Sequence, residues 1–343
     1  MHTERGSSVN AGNDVSATVG PYFDELRPGQ VFDHAPAMTL TEGAAAVHQS
    51  IVGDRMRLAL DATLSAAVTG GSRPMAHPAL VADIAIGQST LATGRVRANL
   101  FYRGLAFHRF PELGDALATT TQVVGLRQNS VRQGRAPTGL AALRMKTVDQ
   151  HGRLVLDFHR CAMLPLSSGV LETGHFDDLT ALGTAEITTD PARSWDAETF
   201  RSRVPGPHFG PELHDRRYRS SGDVVSSAPE LARLSLNIAA THHDRRAGGQ
   251  RLVYGGHTIG LALAQATRLL PNLATVLKWT SCDHTGPVHE GDTLYSDLHV
   301  EQATALPDGR GGTLDLRSVV YAVGLDGEAD RPVLDWRFTA LLF

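Results

Sequence analysis

The sequence predicts an α+β protein built twice over, as two tandem copies of a curled antiparallel sheet wrapped round one central helix. Three observations carry this. Gly114-Asp115-Ala116-Leu117 recurs 177 residues on as Gly291-Asp292-Thr293-Leu294. Arg153-Leu154-Val155-Leu156-Asp157-Phe158 recurs 178 residues on as Arg331-Pro332-Val333-Leu334-Asp335-Trp336, and Ala76-His77-Pro78 pairs with Gly256-His257-Thr258 at 180. In each copy one apolar helix precedes four long stretches rich in β-branched and aromatic residues, separated by Gly, Pro and Asn turns.

Taken in order, residues 1–20 are rich in Ser, Asn and Gly with no apolar stretch, which predicts a flexible tail rather than a secretory signal. The first copy, 21–166, opens on a turn and an irregular segment. A helix over Ala79 to Leu91 follows, apolar on most faces as suits a helix enclosed by a sheet. Strands are expected over Phe101 to Phe107, Ala116 to Arg127, Thr138 to Val148 and Leu154 to Leu164. Residues 167–206 lack sustained periodicity and read as a linker crossing the surface. The second copy, 207–343, places its helix over Ile259 to Leu270. Its strands fall over Thr275 to Ser281, Thr293 to Gln302, Thr313 to Val323 and Val333 to Phe343.

Composition narrows the function. At 343 residues, 42% apolar and 20% charged, the chain can bury two sizeable cores. A formal charge of -4 without a run of Lys and Arg argues against nucleic acid, and no segment reaches membrane-spanning length. Cys161 and Cys282 lie in different copies and form neither a disulfide framework nor a metal cluster, which fits a reducing cytoplasm. His242-His243-Asp244 is compact but has no further Cys or Glu ligand at a metal-site spacing, so no metal is expected.

Gly-Asp-Thr-Leu after an apolar helix resembles the MaoC-type (R)-specific enoyl-CoA hydratases of the hotdog fold. Arg251-Leu252-Val253-Tyr254-Gly255-Gly256-His257, His284-Thr285 and Glu290-Gly291-Asp292-Thr293-Leu294-Tyr295 narrow the resemblance to the two-hotdog mesaconyl-CoA hydratases (β-methylmalyl-CoA dehydratases). Tyr22-Phe23-Asp24-Glu25-Leu26-Arg27-Pro28-Gly29-Gln30 and Val124-Gly125-Leu126-Arg127-Gln128-Asn129 point the same way. The resemblance implies a double hotdog that hydrates mesaconyl-CoA to β-methylmalyl-CoA or reverses that step, with a CoA thioester as ligand and no cofactor. A homodimer is compatible with it.

That family's signature, Gly-Asp-x-Asn-Pro-x-His-x-Asp, is divided here between the copies. The second keeps His242 and Asp244 but has Asn237 in place of the Asp. The first keeps Gly53-Asp54 but reaches Ala59 in place of the His. Hydration of an unsaturated thioester needs a group that moves a proton and a donor that stabilises the enolate oxygen. His242 is the expected acid/base, since its intrinsic pKa lies near neutrality, and Asn237 would hold water or a β-hydroxyl. The N–H groups of Gly255-Gly256 at the start of the second helix would meet the oxyanion, with Gly256 preferred. Tyr254, His257, His284 and Asp244 complete the expected pocket. Arg251 would meet a second carboxylate on the acyl group, with Arg55, Arg57 and Arg103 as alternatives. Asp54 is an alternative carboxylate. Asp115 and Asp292 read as turn residues that open strands. Other readings stay open: another enoyl-CoA or a carrier-protein-bound acyl substrate, which the altered first-copy motif permits, a non-catalytic thioester binder, which the missing Asp suggests, and thioester hydrolysis on the same fold.

Overall fold

The computed structural model describes residues 20–184, 189–247, 249–324 and 327–343. The expected N-terminal tail, save Gly20, lies outside the described residues.

The first copy begins with β1 (Val31–Phe32) and β2 (Met38–Thr39). The segment expected to be irregular instead carries α1 (Glu42–Val52), α2 (Arg57–Leu60) and α3 (Ala62–Thr69). Capping explains what periodicity missed. The Thr41 hydroxyl accepts the N–H of Ala44, the Asp61 carboxylate accepts those of Thr63 and Leu64, and Gly53 and Gly70 end their helices in the left-handed region.

Next come α4 (Pro78–Gln88) and the strands β3 (Ala98–Phe107), β4 (Ala116–Gln128), β5 (Thr138–Val148) and β6 (Leu154–Pro165). Every residue of α4 is buried, as its all-round apolar sequence predicts. The linker is more structured than expected. It holds α5 (Ala197–Arg203), capped by Asp196, and buries Trp195, Phe200 and Val204. The second copy adds β7 (Arg217–Arg219), β8 (Asp223–Val224), α6 (Ala228–Leu234), α7 (Ala240–His243), α8 (Gly255–Leu269), β9 (Leu273–His284), β10 (Thr293–Ala305), β11 (Gly312–Ala322) and β12 (Arg331–Leu342).

All the long strands are antiparallel and form one sheet in the order β1-β4-β5-β6-β3-β9-β12-β11-β10-β7. The copies join where β3 pairs with β9, with Arg103 opposite Ser281. An aromatic chain crosses that seam. Tyr102 packs on Trp279 at 5.9 Å, Trp279 on Trp336 at 5.4 Å, and Trp336 stacks on Phe338 at 3.8 Å.

The repeat holds down to single bonds. Gly114 (φ 97°) and Gly291 (φ 96°) occupy matching turns, where Asp115 accepts the N–H of Glu112 and Asp292 that of His289. Both aspartates are therefore the turn residues the sequence predicts. Arg144 grips Asp157, and Arg317 grips Asp335, each through two bonds of 3.0 and 2.7 Å. The helix anchor needs correction. Ala76 N–H donates to Pro111 and Val253 N–H to Val288, both at 2.9 Å, and His77 and Tyr254 immediately precede the two central helices. The register there is 177, so His77 matches Tyr254 rather than His257.

Candidate active site

A cavity of about 380 Å³ opens where the copies meet at the start of α8. The second copy contributes His242, Tyr254, Gly255, Thr258, His284 and Thr285. The first contributes Asn99 and Tyr102 from β3 and Arg160 from β6. Leu100, Leu252, Val253 and Val288 supply apolar wall. This mixture, apolar walls with a few converging polar groups, is the usual form of a small-molecule site.

His242 stands on α7, and its Nδ1 lies 2.9 Å from the carbonyl oxygen of Leu252. A carbonyl only accepts, so Nδ1 carries the proton and the neutral ring keeps its basic lone pair on Nε2. Burial pushes the pKa of His242 down to about 4, opposed by the Leu252 bond and aided by His243 and Arg160. The pKa of His284, at the end of β9, is also pushed down to about 4, by burial, then Arg160, then His242. Its Nε2 is buried without a hydrogen-bond partner among the described residues. Both rings are therefore neutral near pH 7, and an enclosed neutral imidazole can take a proton.

The start of α8 has no side-chain cap. The first N–H groups of a helix have no partner within it and concentrate its positive end. Gly255 lines the cavity, and its missing side chain makes room for His284, since a Cβ there would stand 2.6 Å from the ring. Gly256 faces the other way. A Cβ there would overlap the Asp83 carboxylate of α4 and the Tyr254 ring, so this glycine allows the two central helices to approach. Tyr254 meets the His242 ring edge-on at 5.8 Å and donates its hydroxyl to the Asp83 carbonyl at 3.2 Å.

Other expected residues fall outside the cavity lining. Asn237 is buried, and its side-chain oxygen accepts the N–H of Ala239, so it shapes the turn before α7. His257 is fully buried, and neither ring nitrogen has a partner among the described residues. Asp244 is bound to Arg246 at the surface. Arg251 is exposed and lines a smaller pocket of about 120 Å³ that also touches His242. Arg103 pairs with Asp283 at 2.6 Å, while Arg55 and Arg57 line a separate cleft.

Sequence reading missed Arg160, Asn99 and Tyr102. One signal for Arg160 was available: on β6 it shares alternate positions with Phe158, Ala162 and Leu164, a buried face where a charge is out of place.

Relatives agree with this architecture. Over 336 residues, 93% of this chain and 91% of the relative, the sequence is 30% identical to the β-methylmalyl-CoA dehydratase of Chloroflexus aurantiacus. The chain belongs to the MaoC-like double-hotdog family of hydro-lyases. It is also 23% identical to the mesaconyl-CoA hydratase of Cereibacter sphaeroides, over 91% of this chain and 92% of that enzyme. A Mycobacterium tuberculosis protein with a double hotdog fold is 64% identical with a TM-score of 0.92, covering 95% of this chain and all of that one. A MaoC domain protein of Chloroflexus aurantiacus is 27% identical with a TM-score of 0.75, over 95% of this chain and 98% of its own. No family model matches the sequence.

The divided signature of this family member has a structural counterpart. Asp54 and Asn237 are equivalent: each caps the residue two positions on, through Met56 N–H and Ala239 N–H. In the first copy Asp54 pairs with His77 at 2.9 Å, and both are buried or nearly so. Neither residue lines the cavity. His77 Nδ1 accepts the N–H of Ala79, and Pro78 has no N–H, so the start of α4 has little left for an oxyanion. Where the second copy has His284 the first has Phe107, and where the first has Arg160 the second has Phe338, both phenylalanines buried. His284 and Arg160 thus have no polar counterpart at the equivalent place.

Proposed function

We propose that the cavity binds a short-chain acyl-CoA thioester and that the chain adds water to its double bond or removes it, with mesaconyl-CoA and β-methylmalyl-CoA as the substrate pair. The observation that carries this reading is the His242 tautomer. With Nδ1 fixed on Leu252, the free lone pair is on Nε2, and the ring lines a cavity that also takes in the start of α8.

In the hydration direction His242 Nε2 takes a proton from water as the oxygen attacks the β-carbon. Electron density moves to the thioester oxygen, where the α8 N–H groups stabilise it. The enolate then collapses and the same proton passes from the imidazolium to the α-carbon. Atoms balance, and the histidine returns to its neutral form. His284, close against Gly255, holds the ligand from the other side. The names of the relatives support the choice of acyl group. A second hollow of about 370 Å³, sharing Val96, Arg97 and Thr241 with the cavity, offers the rest of the CoA a path past Arg95 and Arg97.

The test is a spectrophotometric assay of the purified chain with mesaconyl-CoA and crotonyl-CoA. Loss of enoyl-thioester absorbance is expected, falling about 10²- to 10⁴-fold in His242→Ala. No absorbance change with any enoyl-CoA overturns the reading, and unchanged turnover in the variant removes His242 from it.

A further inference from the structure

We propose that Arg160 and Asn99 form a receptor for a second carboxylate on the acyl group and so set the enzyme's selectivity for dicarboxylic acyl thioesters. This rests on the hydratase reading above and assigns specificity to two residues of the first copy.

Arg160 is 3% exposed, yet no Asp or Glu stands within ion-pair distance among the described residues. A guanidinium cannot shed its charge in a protein, and burying one without a carboxylate is strongly unfavourable. What holds it is neutral. Nε donates to the Asn99 side-chain oxygen at 2.7 Å and Nη1 to the Ser89 hydroxyl at 2.7 Å. These bonds fix the plane of the fork and leave Nη2 without a protein partner among the described residues. Asn99 has the same surplus: with its oxygen taken by Arg160, its Nδ2 is buried and has no partner. Both residues line the cavity.

Two adjacent unpaired donors, one of them charged, match the two oxygens of a carboxylate. They stand on the first copy's wall, whereas His242, His284 and the α8 start belong to the second. An acyl group lying between the walls with its thioester at α8 would present its far end to Arg160. A monocarboxylic acyl chain would leave the guanidinium uncompensated. Arg251, exposed and outside the cavity lining, has no comparable setting.

The experiment compares kcat/KM for mesaconyl-CoA, its distal methyl ester and crotonyl-CoA in the wild-type chain, in Arg160→Met and in Asn99→Leu. The wild type should prefer the free acid over the ester by about 10²-fold or more, since a site built for a polar group rejects the analogue lacking it. Arg160→Met should bring the acid-to-ester ratio of kcat/KM close to one, whatever change is common to all three substrates, and thermal unfolding reports that the variant is folded. Asn99→Leu should reduce the preference in part. An equal loss on all three substrates would make Arg160 a general electrostatic element and overturn the proposal. So would a wild type that turns over crotonyl-CoA without preferring the acid, although the hydratase reading would then stand. If no enoyl-CoA is turned over, the hydratase reading itself falls.

Discussion

The imidazole of His284 occupies the space a side chain on Gly255 would need: a Cβ there would stand 2.6 Å from its Cε1 and 2.7 Å from its Nε2. Gly255→Ala is therefore expected to cost about 1–3 kcal/mol of stability and to move His284 out of the cavity. In Gly255→Ala/His284→Ala the stability should largely return while turnover stays low. Urea unfolding beside the enoyl-CoA assay measures both, and additive stability losses would show that the two residues do not compete for this space.

The buried histidines set the response to acid. His242, His257 and His284 have folded pKa values of about 4 against an ordinary 6.5. Between those limits the unfolded chain binds more protons than the native one. Stability from these groups is thus fully present above about pH 6.5 and lost as pH falls toward 4. Tm should drop steeply over that window. While the protein stays folded, the acid limb of kcat/KM should lie well below 6.5. A limb centred near 6.5 would mean that the catalytic base is not this enclosed imidazole.

Asp54 lies in the first copy and outside the cavity lining. Its carboxylate accepts the Met56 N–H and pairs with His77. Asp54→Asn should lower stability by about 1–3 kcal/mol yet leave kcat within a few-fold. A kcat loss of 10²-fold, with Tm unchanged, would place that carboxylate in the reaction.

Asn237 should behave as a cap. Removing the acceptor for Ala239 N–H in Asn237→Ala is expected to cost about 1 kcal/mol, with KM for mesaconyl-CoA little altered. Chemical denaturation and initial rates check this, and a large rise in KM would show direct contact with substrate.

Much of the fold was legible because the repeat and the strand patterns are local properties of the chain. Thr138 to Val148 is a strand with the predicted bounds, and the others differ by a few residues at their ends. The helices between Glu42 and Thr69 were missed because caps at Thr41 and Asp61, rather than a long apolar stripe, define them. His242, Tyr254, Gly255 and His284 could be found because they belong to recognisable stretches. Asn99 could not be found that way, since what marks it is an unpaired amide in three dimensions, and Arg160 leaves only the trace of a charge on the buried face of β6. The second use of Gly256 could not be read from the sequence: only the structure shows that its missing Cβ makes room for Asp83 of α4, while its N–H still belongs to the uncapped first turn of α8.

Tandem fusion has a consequence for stoichiometry. Two identical hotdog subunits meeting at a two-fold axis would build the same site twice, and a residue that suits one end of the ligand would appear in both. Here Arg160 faces one cavity while Phe338 stands at the matching position of the other copy. A single chain can thus tailor each wall of one binding place without compromise. Equilibrium titration with a CoA ester should accordingly saturate at one ligand for each 343-residue chain.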